Sequence, residues 1–207
     1  GVRYPYYAVI KSETSKDTRF FVYLSSNGEV NSDNYRYTVE EKYVVFERIN
    51  KEYAAMVDRV LKKEDFPVEP AVIQGEELSF GRLSTMGKLP NEYGLDYGIE
   101  IEKLELDKEY DIYELGKKAG NIVVTVYSED VTAEKAAEYI LRVKEFLDKE
   151  HVSFYTIDFM LMKPMQEGIE NVSISVRDFL YEDIYEEGMV ERVQEAHDAE
   201  RAWWEEK

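Results

Sequence analysis

Residues 121–162 read "NIVVTVYSEDVTAEKAAEYILRVKEFLDKEHVSFYTIDFMLM", and the fold turns on how this stretch is parsed. Residues 121–128 are dense in β-branched side chains, which predicts a strand. The period then changes. Ala136, Ala137, Ile140, Val143, Lys144 and Leu147 trace one face of a helix over 131–150, with the lysine stem lying along its edge. Thr132 is placed to cap that helix. Residues 152–164 return to a strand, closed by Pro164. His151, just past the helix, is positioned for its side chain to bond the last carbonyls.

Working outward, Val172, Ile174 and Val176 alternate with Ser173, Ser175 and Arg177, as in a strand with one wet face. Residues 186–207 read as a terminal helix, and 97–106 alternate as a further strand. The C-terminal half is therefore β-α-β-β-α, ferredoxin-like, with helices crossing one face of a mostly antiparallel sheet.

The first half follows the same logic. Strands are predicted at 6–13 and 18–30, the second running into Asn27-Gly28, the favoured centre of a type I′ hairpin. A helix over 38–65 opens on a capping box of Thr38 and Glu41 and ends before Pro67 and Pro70. Short strands fall within 71–80. The expected organisation is an α+β chain of two-layer sandwiches. An N-terminal subdomain at 2–80 (β-β-α-β-β) is followed by a Gly- and Pro-containing linker or loop at 81–96 and a C-terminal domain at 97–207. The loop could equally serve as a lid.

Composition narrows the function. The chain has 207 residues, 44 acidic against 26 basic, for a net charge of −18. That field repels a phosphate backbone, so nucleic acid is not an expected partner. There is no cysteine, hence no thiolate metal site or thiol nucleophile. No run approaches the ~20 apolar residues of a membrane span. Gly1 stands where Met would be, which reads as a cloning scar or a cleavage product. "VRYPYY" (2–7) would suit a juxtamembrane stretch. The expected setting is extracytoplasmic, membrane- or lipid-anchored, with a cytoplasmic setting as the alternative.

Few residues point to chemistry. His197 lies among Glu195, Asp198 and Glu200, but position 194 is Gln, so the Glu-x-x-His pairing of helical metal sites fails. No metal, cofactor or catalytic residue is assigned. Asp158, inside the apolar run "YTIDFMLM" (155–162), is a candidate buried charge with Arg177 as its ion-pair partner. The 17 tyrosines and two tryptophans are the remaining signal. Tyr4, Tyr6, Tyr181, Tyr185 and Trp204 are the candidate ligand or partner surface, since such rings present an apolar body and a polar tip. The functional expectation is a non-catalytic domain that binds a protein or an envelope component. The alternatives are a carboxylate-dependent hydrolase or carbohydrate-active enzyme, and a cytosolic structural or regulatory partner.

Overall fold

The computed structural model describes residues 6–73, 76–86, 97–164 and 172–205. Tyr4 and residues 87–96 of the expected linker lie outside them. Strands β1 (Tyr6–Lys11), β2 (Arg19–Leu24) and β3 (Val30–Asp33) form an antiparallel meander in that order. β3 has the polar sequence VNSD and carries no alternation that would announce it. The β2–β3 connection is not the expected type I′ turn, which requires positive φ at both central residues. Only Gly28 is left-handed, at φ 84, within a loop closed by Ser25 and Glu29.

Among the described residues, this small sheet buries no hydrophobic side chain, and it hangs on a polar clasp. Asp17, in the β1–β2 turn, is fully buried. It accepts from Arg48 Nε at 2.7 Å, from Arg48 Nη2 at 3.1 Å and from the Asp107 N–H at 2.7 Å. Lys16 pairs with Glu109 beside it.

Helix α1 (Tyr43–Leu61) starts later than the capping box predicts. Thr38 falls instead in a π-helical turn, Arg36–Glu40, and Lys42 at φ 65 separates that turn from α1. Strands β4 (Val72–Ile73) and β5 (Glu76–Glu77) pair with each other, and β6 (Phe80–Leu83) follows. The strand expected at 97–106 is reduced to an isolated bridge between Ile99 and Thr85. The chain then tightens into a turn, Ile101–Lys103. Ile101 and Leu104 both pack toward the core, and their spacing of three suits a tight helical turn better than a strand.

Helix α2 (Ile112–Ala119) leads into β7 (Gly120–Tyr127), α3 (Ala133–Lys149), β8 (Thr156–Met162), β9 (Ser173–Leu180) and α4 (Met189–Glu205). This is the expected β-α-β-β-α order. Thr132 caps α3, accepting from the Lys135 N–H at 3.2 Å. The sheet runs β6-β7-β8-β9, with β7 and β8 parallel and the outer ladders antiparallel.

One hydrophobic core joins α1, the inward residues of β6 to β9, α3 and the start of α4. Ile122, Val124, Ile157, Phe159 and Leu161 alternate into it. So α1 and β6, both from the first half of the chain, share the core of the second half.

Candidate functional site

An aromatic-lined cleft lies at the end of the sheet where β8 begins and β9 finishes. It encloses about 290 Å3. Three local events build it. Asp111 caps α2 by accepting from the Tyr113 and Glu114 N–H groups at 3.0 and 3.2 Å, setting Tyr113 and Lys117 on one wall. His151 ends α3 in the left-handed conformation, φ 55. That turns the chain back, so that Val152 donates to the Leu147 carbonyl at 2.9 Å. The expected side-chain cap is thus replaced by a backbone role usually taken by Gly or Asn. Ser153, Phe154 and Tyr155 then cross the cleft. The Tyr181 N–H donates to the Tyr155 carbonyl at 2.9 Å, extending the β8–β9 ladder and bringing Leu180, Tyr181 and Glu182 to the opposite wall.

The rings are held in place. The Tyr181 hydroxyl donates to Asp148 at 3.0 Å, Lys144 pairs with Asp148 at 2.7 Å, and the Lys144 ammonium lies 4.1 Å from the ring centroid. Phe154 meets Tyr181 edge-to-face at 5.0 Å. Tyr155 rests against Tyr97 at 4.9 Å. Lys117 bonds Glu114 at 2.8 Å and sits 4.6 Å over Tyr113. The result is an apolar floor with aromatic walls and a few convergent polar groups, the usual make-up of a small-molecule site.

A second polar array runs across the four strands. Arg82 (β6) donates to Asn121 (β7) at 3.0 Å. Asn121 donates to Thr156 at 3.0 Å and to Asp158 at 3.2 Å, both on β8. Opposite Asp158 the ladder bulges, and Asp178 adopts φ 48. Its N–H donates to Asp158 Oδ1 at 2.8 Å. Tyr97 donates to Asp178 at 2.5 Å, and burial followed by this bond pushes its hydroxyl up to about 12, so it stays a donor at neutral pH. Bulges commonly re-aim side chains in this way.

The residues singled out by sequence disperse over the molecule. Of the expected pair, Asp158 has Arg82 beside it at 3.5 Å, and Arg177 Nε has Glu200 at 2.8 Å. Tyr6 is exposed on β1. Of the described candidates, only Tyr181 enters the cleft. Tyr185 lies under the Arg192 guanidinium at 3.7 Å, and Arg192 also bonds the Asp183, Tyr185 and Glu187 carbonyls. Trp204 is exposed at the rim of a groove over β9, with Arg177 5.5 Å from its ring.

His197 Nδ1 lies 3.3 Å from both the N and the O of Ser175 on β9. The nearly buried Glu200 accepts from Ser175 Oγ at 2.8 Å. Among the described residues, no three His, Asp or Glu side chains gather as a metal site, and no helix is long and apolar enough to cross a membrane. Tyr113, Phe154, Tyr155 and Lys117 carry no motif. Their one available signal is the aromatic density of 153–155 directly after a helix end.

A family profile described as the YfjL-like C-terminal domain matches residues 52–194. That span covers α1 from its third turn onward, the whole four-stranded sheet and the cleft. No curated protein and no solved structure matches the chain.

Proposed function

The chain belongs to the YfjL-like C-terminal domain family, and from that premise we propose that it is a non-catalytic binding domain. It would be carried by an extracytoplasmic, membrane- or lipid-anchored bacterial envelope protein. The observation that carries the binding reading is the aromatic-walled cleft, whose rings are fixed in advance by Lys144, Asp148 and Tyr97. A site fixed before the ligand arrives loses less ordering entropy on binding. Asp158, the residue on which a hydrolase reading would rest, already has Asn121, the Asp178 N–H and Arg82 around its carboxylate, which favours a structural role.

Two measurements test this. Amide shift mapping against a fragment library should concentrate responses at residues 113–117, 153–155 and 180–182, and hits spread over the surface would defeat the binding reading. Intact cells carrying the native protein should lose this domain to added protease. Protection until the cells are lysed would return it to the cytoplasm.

One observation favours a second reading, a docking role for a partner protein. β1 is an edge strand, and it exposes Tyr6 and Tyr7 (59% and 66%) together with Val9 and Ile10. Long, exposed apolar edges attract further strands.

A further inference from the structure

We propose that the cleft between α2 and the start of β8 takes one pyranose unit of a neutral saccharide. The proposal rests on reading the cleft as the binding site and adds the ligand's class. Size comes first. The cleft offers about 290 Å3. It sits at the lower edge of the ~300–1,000 Å3 typical of ligand pockets. That is room for one six-membered ring with its hydroxyls.

Charge then separates the chemical classes. An anion meets the field of a chain of net charge −18 and the Glu182 carboxylate at the rim. An organic cation would ordinarily suit aromatic walls. Here, however, the protein's own ammonium groups already lie over two of the rings, Lys117 over Tyr113 at 4.6 Å and Lys144 over Tyr181 at 4.1 Å. Those two rings are therefore already taken as cation partners. What remains is the free surface of Tyr155, whose ring is backed by Tyr97 at 4.9 Å, and the floor of Phe154 and Leu180. These suit the C–H face of a sugar ring.

The polar groups agree with this. The Tyr113 and Tyr155 hydroxyls and the Glu182 carboxylate have no hydrogen-bond partner among the described residues. Together they offer donors and a charged acceptor around an apolar floor, matching the alternating O–H and C–H surface of a pyranose.

The test is saturation-transfer NMR and calorimetry on the whole chain. The probes are methyl glycosides of glucose, galactose and mannose, N-acetylglucosamine, tetramethylammonium and benzoate. At least one sugar should bind in the millimolar range, with transfer strongest at the protons of one ring face. Tyr155→Ala should abolish the signal. Glu182→Gln, a change on an exposed side chain that leaves the core untouched, should weaken binding about tenfold by removing a charged acceptor. Tetramethylammonium or benzoate binding in a Tyr155-dependent manner, with all sugars silent, would overturn the saccharide assignment and keep the cleft as a binding site. Silence from every probe, or sugar binding that survives both substitutions, would overturn the cleft as well.

Discussion

Gly81 sits where β6 crosses α1, and a Cβ built there would lie 2.4 Å from Val57 Cγ2 and 2.6 Å from Val57 Cβ. Val57 is itself fully buried, so neither side can yield cheaply. Gly81→Ala should cost ~1–3 kcal/mol by overpacking, read as a fall in Tm of roughly 3–10 °C. An unchanged Tm would mean that α1 lifts off the sheet without penalty. Residue roles of this kind were the least legible in the sequence. Tyr181 was marked only as one of five candidate surface aromatics. Its place in the cleft depends on Asp148 and Lys144, 33 and 37 residues away, and no local pattern encodes that. Glu200 was weighed only as one of the acids around His197, although it continues the core-facing stripe of Met189, Val193 and Ala196 at helical spacing. An acid on an apolar stripe is the signal that would have found it.

At the scale of elements, β7, α3 and β8 could be read in advance because each has a clean period and α3 an effective cap. β3 and the turn at Ile101–Lys103 could not, since one is polar throughout and the other borrows a strand's alternation. The β1–β3 sheet carries a pH dependence of its own. Burial alone would raise Asp17, but the bonds from Arg48 and the Asp107 N–H outweigh it and hold its carboxyl below the usual 3.8. A depressed folded pKa means the clasp contributes fully above about pH 4 and loses that contribution as pH falls through the folded value. Hydrogen exchange of the β1 and β2 amides should therefore accelerate below about pH 4 while β7 and β8 stay protected. Arg48→Met should reproduce the acid state at neutral pH, because it strands a buried charge at a cost of ~3–5 kcal/mol. Uniform protection in the variant would show that the sheet is held by something else.

For the whole molecule, the net charge of −18 works against compactness through self-repulsion. Raising salt from ~0.01 to ~0.1 M shortens the screening length from ~30 to ~10 Å. Tm should rise by a few degrees, the response to ~1 kcal/mol in a chain of this size. A fall would mean that the ion pairs outweigh the repulsion. The class of fold was legible because composition and periodicity agree across the chain. The pairing of β6 with β7, which ties the two halves into one core, was not, because strand partners are chosen by three-dimensional fit. The cover that α4 places over β9 has a further consequence during synthesis. Ser175 is joined to the chain 25 residues before Glu200, roughly one to five seconds earlier at ~5–20 residues per second. Throughout that interval the outer edge of β9 has no lid, so each nascent chain passes through a short phase in which another strand can compete with its own last helix.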